Sequence, residues 1–433
     1  YESRNLISAT KTDRLTGLFQ REYFMNYVEV ADHYDPDQAR DIIVLNINRF
    51  HLINEIHGRE YGDHVLVKVG KCIKQYMEEI RGVACRNNSD CFYLYIPHQE
   101  DPEELLLRLQ VNLEDAVEDA KNRFRLGIYT NVDKHLDIEK RFDCGLLACN
   151  SIKDNYKKFI AYYDKEIHEK EAYEERLIMD MDRALEEEQF EVYYQPKFAI
   201  QGKEVTLASA EALVRWQHPE YGMISPGVFI ELFERKGLLQ KLDHFVWIRV
   251  AKQIAKWKTE YGRTIPVSVN VSRIDLLERT FVDDICGIVK DAGITTAEYY
   301  LEITESAYTE DPEEIISVVK RLRELGFRIE IDDFGTGYSS LNMISSVPFD
   351  VLKLDIGFVR HVHESPMNLK MVGIIMEIAE LLKVKVVAEG VEVKEQYEHL
   401  KNLGVDIVQG FYFSKPLPTI DFERIIRGES ANG

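Results

Sequence analysis

Acids, amides and one lysine recur at the ends of short apolar runs in the second half of the chain. Glu211 sits in Leu207–Val214, Asn270 in Val267–Val271 and Glu302 in Tyr299–Ile303. Asp332 closes Arg328–Asp332 and Asp333 follows it, Lys353 and Asp355 fall in and after Val351–Leu354, Glu389 follows Val384–Ala388, and Gln409 lies in Ile407–Gly410. Taken singly, each has a plainer role: an acid at a strand end caps a helix, Lys353 is solvated, and Asn270 with Ser272 makes a turn. Together they read differently. Carboxylates set among apolar neighbours, as in Leu301-Glu302-Ile303 and Ile331-Asp332-Asp333-Phe334, are costly to bury unless something pairs them. A converging cluster of them cannot ionise together without cations. Oxygen-rich ligands select Mg2+ or Mn2+ over zinc, and the adjacent pair Asp332-Asp333 suits two ions sharing a bridging carboxylate. Such a pair generates hydroxide at neutral pH and clamps both oxygens of an in-line phosphoryl displacement, so the residues point to phosphoester hydrolysis.

These groups need a scaffold that brings strand ends into one ring. The runs above, preceded by Glu191–Phe198, alternate with helical patterns at Asp243–Lys258, Leu276–Ala292, Glu313–Leu325 and Leu369–Leu382. Eight strands alternating with helices predict a (βα)8 barrel, whose active site gathers at the C-terminal strand ends. A doubly wound open sheet would need a Gly-rich first turn, which is absent. Upstream, Ile42–Ile47, Cys91–Ile96 and Arg125–Thr130 read as strands and Tyr61–Ile80 as a helix, predicting a separate α+β domain. The charged segment Asp164–Glu188 reads as a solvated connecting helix. The expected division is therefore 1–165, a helical linker 166–176, and 177–433.

Composition narrows the function further. A formal net charge of −21 argues against a protein that grips DNA or RNA over a basic face, while metal ions can still supply the positive charge a nucleotide substrate needs. Six cysteines without metal-ligand spacing predict reduced thiols and a cytoplasmic setting. No stretch is long and apolar enough to span a membrane. The sequence starts at Tyr1, which leaves room for an upstream sensor or membrane anchor.

Glu211-Ala212-Leu213-Val214-Arg215-Trp216 resembles the signature of the EAL phosphodiesterase family. Tyr194-Gln195-Pro196-Lys197, His218-Pro219, Asn270-Val271-Ser272, Glu302-Ile303-Thr304-Glu305, the stretch Asp332 to Leu341, Lys353-Leu354-Asp355, Glu389-Gly390-Val391-Glu392 and Gln409-Gly410 extend the match in order over roughly 177–428. The resemblance implies a modified barrel whose first strand is antiparallel, and Mg2+- or Mn2+-dependent hydrolysis of cyclic di-GMP to linear pGpG. It implies Glu211, Asn270, Glu302 and Asp332 as ligands of one ion and Asp332, Asp333 and Glu389 as ligands of the second. Lys353 would orient the attacking water, with Glu389 and Glu211 also in the catalytic set. Gln195, Leu213, Arg215, Asp355 and Gln409 would contact substrate, and Glu305 would steady the loop Asp333–Ser340. A homodimer is expected from the same resemblance. The rival expectation is a receptor that binds cyclic di-GMP without cleaving it.

Asp13 to Leu18, Asn46-Ile47-Asn48-Arg49-Phe50, Ile53-Asn54 and Tyr61-Gly62-Asp63 resemble a GGDEF diguanylate cyclase domain. The defining turn would fall at Asn88-Ser89-Asp90-Cys91-Phe92, without either glycine, and the first metal-binding Asp of that family is Asn46 here. Glu79 and Gly82 stand where an inhibitory Arg-x-x-Asp motif would need Arg and Asp. Cyclase activity is not expected. Asn54 and Asp63 match guanine-recognising positions, so the domain is expected to bind GTP and regulate the phosphodiesterase.

Overall fold

The computed structural model describes residues 11–98, 103–113, 124–153, 155, 158–310, 312–335 and 347–429. The chain divides into two compact units, 1–176 and 177–433, and the division falls inside the helix Lys165–Glu186.

The first unit is a six-stranded sheet. Its strands are β1 (Phe19–Gln20), β2 (Arg40–Ile47), β3 (Val83–Asn88), β4 (Cys91–Pro97), β5 (Phe124–Tyr129) and β6 (Ile160–Tyr162), in the order β1-β3-β4-β2-β5-β6. The apolar run of β2 alternates faces as a strand must. Ile43, Leu45 and Ile47 enter a core with Val65, Val69 and Ile73 of the helix Arg59–Ile80, whereas Ile42 and Val44 enter a second core with Phe24 and Phe142. A fully apolar strand is thus read as one buried on both faces. Gly127 of β5 lets the helix Ile138–Ser151 approach closely, since a Cβ there would lie 2.1 Å from the Gly145 carbonyl oxygen.

The second unit contains a closed eight-stranded barrel. Going round it, β7 (Phe190–Ala199), β8 (Thr206–His218), β10 (Val267–Asn270), β11 (Tyr299–Thr304), β12 (Arg328–Phe334), β13 (Val351–Leu354), β14 (Lys385–Ala388) and β15 (Ile407–Val408) return to β7. Short β9 (Gly222–Ile224) extends β8, and β16 (Leu417–Pro418) pairs with β7. Alternation of strands and helices by itself reads as all-parallel. In fact β7 runs antiparallel to both β8 and β15, as the family resemblance implies, because a hairpin joins it to β8. The remaining neighbours in the ring are parallel.

Helices cover the outside: Leu239–Tyr261 presents Val250, Ile254 and Trp257 to the strands. The single helix expected over Leu276–Ala292 is two, Arg273–Leu277 and Phe281–Asp291. Ser272 and Asp275 form a capping box that starts the first one early, and Glu278 takes an extended conformation that ends it. The expected strand Ile407–Gly410 stops at Val408. There Gly410 lies so close to Val391 that a Cβ would meet its carbonyl oxygen at 2.2 Å.

Candidate metal centre

Period-two alternation decides which side chains share the barrel interior. On β8, Glu211, Leu213 and Arg215 share one face, while buried Ala212 and Trp216 lie on the other. On β10 the shared face carries Ser268 and Asn270, and on β12 it carries Glu330 and Asp332. β7 runs the other way, so its register partner for Glu211 is Gln195 and its partner for Ser209 is Lys197. Two storeys of polar side chains result, one at the mouth and one beneath it.

At the mouth the Lys353 ammonium is ringed by carboxylates. It lies 3.4 Å from Glu211 Oε2, 3.0 Å from Asp332 Oδ1 and 2.5 Å from Glu389 Oε1, and it donates to Glu302 Oε1. Glu211, Glu302 and Glu389 each offer an oxygen within 4.8 Å of the others. Four carboxylates face one ammonium in a buried setting, so negative charge is left over. Asp332 Oδ1 and Glu389 Oε1 are buried and share that one ammonium without a well-aligned hydrogen bond, a crowding of negative charge that a further cation would relieve. The donor set is therefore fit for hard divalent ions.

The charge imbalance shows in the protonation of each group. Burial would strip Lys353 of its proton, but Glu211, Glu302, Glu389 and Asp332 outweigh it and hold the ammonium well above its usual range. Burial would likewise raise Glu302, yet Lys353 and Lys197 keep it well below the usual carboxylate value. Burial, joined by Glu302, Glu389 and Glu211, pushes Asp332 up to about 9 against the pull of Lys353. Glu389 is pushed up to about 7 by burial, with Glu211 and Glu302 adding to it against Lys353.

Local irregularities aim the remaining groups. β12 carries a register shift between Ile331 and Phe334, and Asp333 has a left-handed φ of 55°. This bulge inserts a residue, so that consecutive carboxylates both serve the mouth. Burial and then Asp355 raise the Asp333 carboxyl, with Glu302 and Glu211 contributing. Asn270 ends β10 opposite Glu302 and lines a cleft of about 630 Å³ with Glu211, Leu213, Arg215, Ser272 and Thr304, a size ordinary for small-molecule sites. The Arg215 guanidinium lies over the Tyr193 ring at 5.5 Å. Gln409 Nε2 donates to Gln195 Oε1 at 3.0 Å and to Glu211 Oε2 at 2.6 Å, so these two amides also orient a candidate metal ligand. Asp355 caps the helix Ile356–Arg360, accepting from Gly357 N at 2.8 Å. Buried Glu305 accepts from Gly335 N at 2.6 Å, at the start of the expected loop. Residues 336–340 of that loop lie outside the described residues.

Beneath the mouth lies a group to which the sequence reading gave no role. Lys197 is wholly buried, with its ammonium 2.8 Å from Ser268 Oγ, 3.3 Å from Glu302 Oε2 and 2.5 Å from Glu330 Oε2. The signal was present in the period: Lys197 stands two residues from Gln195, and Glu330 two before Asp332.

In the first unit, Asn46 pairs in register with Cys91 on β4 and Arg125 on β5. Arg125 NH2 donates to Asn46 Oδ1 at 2.7 Å, while its buried Nε and NH1 have no hydrogen-bond partner. The β3–β4 turn is Ser89-Asp90. Asn54 Oδ1 lies against Gly62, beside Asp63: a Cβ on Gly62 would meet it at 1.9 Å.

Residues 179–416 match the family model for the EAL domain, and residues 10–144 match the model for the diguanylate cyclase GGDEF domain. Cyclic di-GMP phosphodiesterase PdeR of Escherichia coli is 30% identical over 95% of this chain and 63% of its own length. Cyclic di-GMP phosphodiesterase NbdA of Pseudomonas aeruginosa is 30% identical over 98% of this chain and 55% of its own. MucR of the same organism, a bifunctional diguanylate cyclase and cyclic di-GMP phosphodiesterase, is 27% identical over 96% of this chain and 62% of its own length. The chain thus spans between 55% and 63% of these relatives. Among solved structures, the PaMucR phosphodiesterase in complex with c-di-GMP is 32% identical with a TM-score of 0.54, covering 57% of this chain and 99% of that one. The EAL enzyme Bd1971, bound to cAMP and cyclic di-GMP, is 20% identical with a TM-score of 0.57, covers 90% of this chain and 95% of its own, and shares the fold.

Proposed function

The chain belongs to the EAL domain family, behind a GGDEF domain, and from that membership we propose that its barrel hydrolyses cyclic di-GMP to linear pGpG with Mg2+ or Mn2+. The observation that carries this reading is the surplus of carboxylate around Lys353: Glu211, Glu302, Asp332 and Glu389 share one buried ammonium.

Glu211, Asn270, Glu302 and Asp332 would hold one ion, and Asp332, Asp333 and Glu389 the other. When bound, such ions lower the pKa of water and neutralise charge on the phosphoryl oxygens. Lys353, held centrally by the ring, donates to the attacking water and orients it. The water oxygen joins phosphorus, the bond from phosphorus to the ribose 3′ oxygen breaks, and that oxygen leaves with a proton. Arg215 suits a phosphate oxygen, and Leu213, Gln195, Asp355 and Gln409 complete the substrate contacts. Glu305 anchors the following loop through Gly335.

For the first unit we propose a regulatory role without cyclase activity. The Arg125 guanidinium beside Asn46 supports this, since a permanent cation next to a neutral amide disfavours Mg2+. Asn54 and Asp63 would hold the guanine of GTP. Exposed Met367, Ile374 and Leu381, spaced along the helix Pro366–Leu382, support a homodimer. Among the described residues no helix is long and apolar enough to cross a membrane. The six unpaired cysteines suit a cytoplasmic setting.

The test follows pGpG by chromatography in Mg2+ or Mn2+, with and without GTP. Metal-dependent product is the expected outcome. Tight binding of cyclic di-GMP without product would instead make the barrel a receptor.

A further inference from the structure

Glu302 is held from both ends. Its Oε1 accepts from Lys353 on the mouth side, and its Oε2 lies 3.3 Å from the buried ammonium of Lys197 on the inner side. Lys197 has a second and closer anion, Glu330, at 2.5 Å, and Ser268 Oγ at 2.8 Å completes its shell. Glu330 and Glu302 stand directly opposite in the β11–β12 register, and all three charged side chains are at most 2% exposed. Two buried like charges facing each other would repel without a cation between them. Lys197 alone, unmatched, would instead lean its whole charge on Glu302 and compete with anything binding Oε1.

We propose that Lys197 and Glu330 form a buried ion pair that positions the metal ligand Glu302: Lys197 fixes its inner oxygen, and Glu330 absorbs enough of the Lys197 charge that the outer oxygen, shared with Lys353, keeps the negative charge to ligate a divalent ion. The inference rests on the metal reading of the mouth and deepens it. Lys197 and Glu330 are positioning residues, since neither reaches the mouth itself. Outer partners that orient a ligating carboxylate commonly matter roughly 10–100-fold in metal affinity.

The variants separate positioning from packing. In Glu330→Gln the Lys197 charge falls undivided on Glu302, so affinity for Mn2+ drops. In Lys197→Met the inner oxygen of Glu302 loses the donor that fixes it and faces Glu330 directly, so its side chain is no longer held in place, which also weakens binding. In the double variant the amide introduced at position 330 donates to Glu302 in place of the ammonium, restoring the orientation without the competing charge.

The experiment is calorimetric titration of the full metal-free chain with Mn2+, alongside thermal melting of each variant without metal. The expected result is affinity reduced roughly 10-fold or more in Glu330→Gln, with substantial recovery in the double variant despite its two substitutions. Unchanged Mn2+ affinity in a folded Glu330→Gln protein would overturn the inference while leaving the metal site standing. So would a double variant as weak as the sum of the singles, because a packing role gives no rescue. Absence of Mn2+ binding by the unaltered chain would overturn the metal reading itself, and this inference with it.

Discussion

Glu211 reaches the ring because strand alternation turns it inward between outward-facing Ala210 and Ala212, and Gln409 then fixes its Oε2 at 2.6 Å. Glu211→Ala removes a metal ligand and leaves Lys353 its other three acids. We expect a folded protein whose Mn2+ affinity falls by more than the roughly 10–100-fold typical of outer partners, with hydrolysis lost; calorimetry and pGpG chromatography check both. The ring also makes stability pH-dependent. Unfolded Asp and Glu titrate near about 4, whereas folded Glu389 titrates at about 7 and Asp332 at about 9. The folded state therefore binds more protons across that window, so metal-free stability falls as pH rises through it. Glu302 and Lys353 stay charged over this range and do not reverse the sign. Melting temperature should decline from about pH 6 to about pH 9 in chelator, and Mn2+ should flatten the decline; an equal slope in both would contradict the account.

Among the elements, short β14 and β15 place their functional residues just past their last ladder bonds. Glu389 N donates to Leu354 O at 3.2 Å, and Gln409 N to Ala388 O at 2.9 Å. Val391 N in turn donates to Gln409 O at 3.2 Å, which draws the two loops together over Gly410. Gly410→Ala should force them apart, because its Cβ would meet Val391 backbone atoms. The expected cost is about 1–3 kcal/mol, with a loss of Mn2+ affinity as Glu389 shifts; chemical denaturation and calorimetry measure the two effects. Strand positions were legible in the sequence because apolar runs bounded by polar residues leave little freedom. The break at Glu278 was not, since the apolar spacing continues across it and the capping box between Ser272 and Asp275 starts a separate short helix ahead of it.

For the whole molecule, each unit has a sheet and buried apolar residues of its own, and the candidate ligands of each lie within it. Mn2+ should therefore raise the melting transition of the C-terminal unit most, and GTP that of the N-terminal one most, as RT ln(1 + [L]/Kd) requires of a ligand bound to one folded unit. Differential scanning calorimetry would reveal it, and a Mn2+ shift larger in the first unit than in the second would contradict the site assignment. The sequence by itself determined the division into an α+β domain and a barrel, the family, and the acids at the strand ends, because apolar periodicity and motif order are local properties of the chain. Only the tertiary structure decided that Lys353 sits among four carboxylates, that Gln409 serves Glu211, and that Lys197 and Glu330 meet beneath Glu302. Those contacts join strands far apart in sequence, Lys197 and Glu330 being 133 residues apart. Their partners are fixed by the closure and register of the barrel, which no local pattern specifies.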